Sequence, residues 1–178
     1  IKSDGRPVRG LTVVNKQLFV LRANNRGKLE VYETKKYRQT KTLSVNDFDE
    51  ITSLWPSLTS CVVNNCLYLS DGCDDGRVYK VNLTTNEQIN WKVDGLPIGL
   101  SVNTECHVIV TCHDSNEIRE YTSSGSLINR IKLTSHVTKP QHSVQLNDSL
   151  FVVSHYGPKK GVSLVDKQGR VTSTFRNN

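Results

Sequence analysis

Apolar and polar positions alternate along this chain in short bursts, and the bursts recur. Four of the five prolines, Pro7, Pro56, Pro97 and Pro140, open similar stretches 49, 41 and 43 residues apart. Behind each lies a β-branched segment: GLTVV at 10–14, SCVV at 60–63, GLSV at 99–102 and HSVQL at 142–146. A polar turn and a stronger apolar run follow: LFVL at 18–21, LYLS at 67–70, VIVT at 108–111 and LFVV at 150–153. Next comes a loop rich in Asn, Asp, Gly or Lys, then a third strand marked by Leu29/Tyr32, Val78/Val81, Ile118/Tyr121 and Val162/Val165. A second polar turn leads to a fourth, more polar strand near 39–45, 88–93, 127–133 and 171–175. Helical periodicity is almost absent, and turn residues separate the runs at hairpin spacing.

Each unit therefore predicts four antiparallel strands joined by hairpins. A four-stranded unit of about 40–50 residues, repeated in tandem, is the signature of a β-propeller blade. The expected blades cover roughly 7–45, 56–93, 97–133 and 140–175, with 46–55 as an insertion between the first two. A two-sheet sandwich also contains many short strands, but it does not repeat in this register. The expected fold is all-β: four propeller blades of four antiparallel strands, forming an open arc. The absence of methionine fits a piece of a longer chain. An arc leaves two blade faces uncovered, so low stability in isolation is expected.

The 105–116 stretch, ECHVIVTCHDSN, raises a metal question. Cys106, His107, Cys112 and His113 have zinc-ligating side chains, but the residues between the pairs are β-branched and predict a strand. Six strand residues span about 20 Å, whereas ligands of one zinc lie within about 4 Å of each other. The two pairs therefore cannot share an ion. Aligning the repeats places Cys112 with Arg22, Asp71 and Ser154, and His113 with Ala23, Gly72 and His155. On that alignment His113 and His155 occupy equivalent positions near the channel.

Charge is uneven. Residues 1–45 hold 11 Lys and Arg against 3 acids, while 46–178 hold 12 against 14. The candidate partner contacts are Arg6, Arg9, Arg22, Arg26 and Lys28 in blade one, with Lys159 and Lys160 in blade four, since loops at blade ends carry variable residues. Lys35, Lys36, Tyr37 and Arg38 add an aromatic among charges, a usable single-strand contact near the rim. Five cysteines without CxxC spacing lie mostly in apolar runs and lean towards a reducing, cytoplasmic setting. The sequons at Asn82 and Asn147 point weakly the other way. No apolar run approaches the roughly 18 residues a membrane helix needs, so no membrane partner is expected.

The third repeat, 97–127, resembles an NHL repeat through Pro97, Gly99, Leu100, Val102, Val110, Asn116, Ile118, Tyr121 and Gly125. The fourth matches through Pro140, Val152, Val153, Val162, Val165 and Gly169, and the first through Gly10, Leu11, Val13, Asn25 and Leu29. The second is looser, with Ser60 and Cys61 at the Gly and apolar positions. The resemblance implies a binding platform of the kind found at the C-terminal end of tripartite-motif proteins; such propellers close with six blades, so these four are expected to be an open arc of a six-bladed propeller. A protein partner is expected first and RNA second, with no cofactor and no catalysis in this chain. Related propellers include metal-dependent lyases and lactonases; for that alternative the only counterparts here are His113, His155, Asp71 and Asp114.

Overall fold

In a computed structural model, which describes residues 5–23, 27–48, 55–73, 76–157 and 160–175, the four predicted units are four separate four-stranded sheets. The first contains β1 (Val8–Val14), β2 (Gln17–Arg22), β3 (Lys28–Glu33) and β4 (Gln39–Ser44). The second contains β5 (Ser57–Cys61), β6 (Cys66–Ser70), β7 (Arg77–Asn82) and β8 (Gln88–Lys92). The third holds β9 (Pro97–Val102), β10 (Val108–Cys112), β11 (Glu117–Tyr121) and β12 (Leu127–Lys132). The fourth holds β13 (Pro140–Asn147), β14 (Leu150–His155), β15 (Gly161–Asp166) and β16 (Val171–Phe175). Every sheet is an antiparallel meander in chain order.

Burial follows a gradient across each sheet. All five residues of β6 and of β10 are buried, whereas β4 and β16 are largely exposed. A strand covered on both faces reads as a continuous apolar run rather than an alternating one, which explains LYLS and VIVT. Successive residues on such a strand serve different interfaces. Leu67 and Leu69 pack with Phe19, Leu21, Leu29 and Val31 of the first sheet, while Cys66 and Tyr68 pack with Val108, Val110 and Cys112 of the third. Ile109 and Ile118 turn the other way and meet Phe151, Val153 and Val165 of the fourth.

The first strands line up side by side, β1 on β5, β5 on β9 and β9 on β13. Their cross-links repeat with the period of the sequence. Thr12 Oγ1 lies 2.6 Å from Ser60 Oγ, Ser57 Oγ accepts from Leu100 N at 3.1 Å, and Ser101 Oγ donates to Ser143 O at 2.7 Å. Contacts offset by one repeat each time relate the sheets by rotation, as blades of a propeller. At the ends of the series the apolar side chains are uncovered: Leu11 and Val13 on β1, Val144 and Leu146 on β13. Gly10 and Gly99 sit where inner strands approach most closely. A methyl group at Gly10 would lie 2.6 Å from Leu58 Cβ, and one at Gly99 would lie 2.5 Å from Gln141 O.

Of the expected insertion at 46–55, Phe48 is buried edge-on against Tyr79, with ring centres 5.1 Å apart. Residues 49–54 lie outside the described residues.

Candidate recognition site

A meander fixes which loops share a face of the disc. The starts of β1, β5, β9 and β13 lie on one side with the loops after β2, β6, β10 and β14; this is the proline face. The first and third turns of each blade lie on the opposite, turn face.

On the proline face all four blades contribute to one shallow groove. Val8, Arg9, Trp55, Pro56, Ile98 and Gln141 line a cavity of about 210 Å³, and Trp55, Ile98 and Gln141 continue into a second of about 60 Å³ with Leu96 and His113. Trp55 is 53 % exposed and Arg9 is exposed, so an indole and a guanidinium are presented beside Val8, Leu96 and Ile98, with Gln141 and His113 as further polar lining. His113 is held in place, its Nδ1 within 3.2 Å of Pro140 O and 3.1 Å of Gln141 Nε2, with Nε2 3.9 Å from Asp114. Such a site can bury an apolar side chain beside an acidic or hydrogen-bonding group.

The basic residues expected to form one surface are divided. Arg6, Arg9, Lys28 and Lys160 belong to the proline face, whereas Lys35, Lys36, Tyr37 and Arg38 form the β3–β4 turn on the other. Arg26 and Lys159 lie outside the described residues. Arg22 is not a surface cation: it is 4 % exposed, and its Nε donates to Glu30 Oε2 at 2.8 Å. Tyr32 OH donates to the same oxygen at 2.8 Å, and a second guanidinium nitrogen of Arg22 donates to Arg6 O. The strand period turns Arg22 into the sheet face, where a carboxylate neutralises it. Arg6 approaches the same glutamate at 3.9 Å.

The repeat alignment shifts by one residue in the fourth blade. Backbone pairing sets Leu21, Ser70, Thr111 and Ser154 opposite Leu29, Val78, Ile118 and Val162, so the residues that follow, Arg22, Asp71, Cys112 and His155, align. His113 therefore corresponds to Ala23, Gly72 and Tyr156, and His113 and His155 are not equivalent positions. His155 is buried with Nε2 3.0 Å from Ser163 Oγ, while His113 faces the groove. Asp71 is buried too, and burial raises its carboxyl pKa against the opposing hydrogen bonds from the backbone N–H groups of Arg77 and Cys73. Among the described residues, the group of three metal-capable side chains that converges is a different one: Glu105, His107 and Glu120.

The cysteines divide as their surroundings dictate. Cys61, Cys66 and Cys112 are free thiols buried in the interface between the second and third blades, while Cys73 and Cys106 are half-buried. Burial raises the Cys66 thiol and pushes Cys112 up to about 11, leaving both protonated and inert at neutral pH.

No protein-family model and no curated protein matches the chain. Solved structures do. A catalytically inactive histidine-to-alanine variant of virginiamycin B lyase from Staphylococcus aureus, with quinupristin, superposes with a TM-score of 0.74 at 10 % identity over 99 % of this chain and 58 % of its own. A streptogramin B lyase gives 0.71 at 11 % identity over 96 % and 55 %. A Bacteroides caccae protein of unknown function gives 0.64 at 12 % over 97 % and 62 %. The fold is a β-propeller. The chain spans little more than half the length of these structures, and at such identities the likeness carries fold alone.

Sequence reasoning missed Trp55, Ile98 and Gln141 as groove residues. The signal was present in part: Trp55 and Ile98 each adjoin a blade-opening proline, and Gln141 follows Pro140. Among the described residues, no helix is long and apolar enough to cross a membrane.

Proposed function

We propose that this chain is a non-catalytic recognition module whose proline face binds a protein partner in the groove around Trp55. The observation that carries this reading is the placement of a half-exposed indole beside Arg9 over Val8, Ile98 and Leu96. Trp and Arg are the side chains most often found anchoring protein interfaces, because each combines large contact area with a polar tip. A groove that sets Val8, Leu96 and Ile98 beside one cation and the polar Gln141 suits a segment pairing a hydrophobic side chain with a carboxylate. RNA ranks second: the basic residues divide between two faces, and Arg22 is neutralised within its blade.

The Pro-x-Gly opening of the third blade, Pro97 to Gly99, and the turns at Gly125 and Gly169 support an NHL-type propeller, and through that class a place as the substrate-recognising part of a tripartite-motif ubiquitin ligase. The buried free thiols of Cys61, Cys66 and Cys112 support a reducing, cytoplasmic setting. The metal-dependent lyase alternative rests on His113 alone within the groove.

The test is a fluorescence titration with two probes, an acidic-apolar peptide and an oligouridylate. The chain has two tryptophans, of which Trp91 is half-buried in a blade interface. Saturable change with the peptide, lost in Trp55→Ala and weakened at least tenfold in Arg9→Glu, supports the reading. Binding of the oligouridylate that collapses as salt rises transfers it to nucleic acid. Absence of a saturable signal with either probe refutes it.

A further inference from the structure

The turn face holds a second, unrelated cluster. His107 opens the strand after the β9–β10 turn, and two carboxylates converge on its Nδ1: Glu120 Oε1 at 2.9 Å and Glu105 Oε2 at 3.3 Å. One donor atom from each side chain lies within 4.8 Å of the others. We propose that Glu105, His107 and Glu120 form a binding site for a divalent transition-metal ion of the zinc class, between the third and fourth blades.

The geometry suits an ion. Metal bonds of about 2.0–2.2 Å to nitrogen and carboxylate oxygen put neighbouring donors of a tetrahedral site about 3.3–3.6 Å apart. The two observed separations, 2.9 and 3.3 Å, lie just below and at the lower edge of that spacing, and the outlying ligand, Glu105, is 67 % exposed and can shift to admit an ion. Imidazole with carboxylates is a set for zinc, iron or cobalt rather than for calcium, which takes oxygen ligands only.

The surroundings hold the ligands as a metal site requires. Asn103 Nδ2 donates to Glu120 Oε1 at 3.0 Å and to Gln145 Oε1 of the fourth blade at 2.9 Å. Its Oδ1 accepts from the backbone N–H groups of Glu105 and His107 at 3.1 and 2.8 Å. One asparagine thus positions all three ligands, the role played by outer-shell groups in metal centres. Cys106, at φ 63°, makes the reversal that places residues 105 and 107 on one side. A cavity of about 410 Å³ opens beside the cluster, bounded also by Asn129, Asp148 and Lys167. Three carboxylates face one ammonium and one imidazole there, a local negative field in a basic protein. Three protein ligands leave a coordination position facing this cavity, where water or a carboxylate oxygen can bind.

The competing arrangement is a proton on Nδ1 shared between the carboxylates, with no ion. Cobalt(II) separates the two. Titrated into the reduced chain, Co²⁺ is expected to give a visible d–d band saturating at one equivalent, without a thiolate charge-transfer band, and Zn²⁺ should abolish it. His107→Ala and Glu120→Gln should weaken Co²⁺ at least tenfold. Glu105→Gln, on an exposed side chain that cannot unfold the blade, should do so measurably, and His136→Ala should not. No band at millimolar Co²⁺, a thiolate band reporting the cysteines, or binding indifferent to Glu105→Gln and His107→Ala would overturn the assignment.

Discussion

Close approach of neighbouring inner strands is what makes these sheets blades, and Gly99→Ala tests it. Gly99 has an ordinary strand φ, so the substitution adds no backbone strain. The new methyl would sit 2.5 Å from Gln141 O, 2.9 Å from His142 Cα and 3.0 Å from Thr111 Oγ1, where ordinary contact begins at 3.4 Å. The two nearest atoms are backbone of β13, so relief requires the third and fourth blades to part by several tenths of an ångström. That would strain the pair of bonds at Ser143, which ties Ser101 Oγ and Thr111 Oγ1 to β13 at 2.7 Å each. Overpacking a dense interface costs about 1–3 kcal/mol, and backbone obstruction places Gly99→Ala in the upper half of that range. For a chain of this length the melting temperature should fall by about 4–12 °C. Urea denaturation followed by circular dichroism measures it. Gly10→Ala repeats the clash two interfaces away, against Leu58, and should behave alike. A loss below about 0.5 kcal/mol in both would refute the packing described.

Two further outcomes follow from buried charge. Arg119 is 3 % exposed, donates to Glu117 Oε2 through two nitrogens at 2.9 and 2.7 Å, and reaches the Asp94 carbonyl. Arg119→Met alone should cost about 3 kcal/mol, the low end for breaking a buried pair because Arg130 stays 3.7 Å from Glu117, and adding Glu117→Gln should recover part of it; a double variant no better than the single contradicts the pairing. Asp71, raised by burial, keeps its proton to higher pH in the folded chain than in the unfolded one. The folded state then binds more protons in the window above about pH 4, so this group's contribution falls as pH rises through that window. Asp71→Asn should gain on the parent as pH rises above about 4 in urea melts; a flat or falling difference contradicts the shift.

Much of the fold was legible because a blade is a local object. Hairpins and turn residues are contiguous in sequence, and the fully covered second strands announce themselves as unbroken apolar runs such as VIVT. The register between blades was less legible. His155 and His113 look alike as loop-adjacent histidines, yet the loops after β2, β6, β10 and β14 differ in length, and only backbone pairing shows that His155 aligns with Cys112. Arg22 read as a surface cation because sequence alone does not show that Glu30 and Tyr32 lie across the hairpin on the same face. The Glu105–His107–Glu120 cluster escaped for a related reason. Its parts are joined by the Ile109–Glu120 pairing of β10 with β11, a register that places His107 diagonally beside Glu120. Trp55 was assigned to an insertion because it precedes the proline that marks its blade.

The central claim is that recognition takes place on the proline face, where four blades meet around Trp55. The most direct measurement is amide and indole chemical-shift mapping on ¹⁵N-labelled chain titrated with the acidic-apolar peptide. The account predicts saturable shifts centred on the Trp55 indole, Arg9, Ile98, His113 and Gln141, with the β3–β4 turn at 35–38 unmoved. Shifts confined to that turn or to the 103–107 turn, with the Trp55 indole unchanged at saturation, would contradict it.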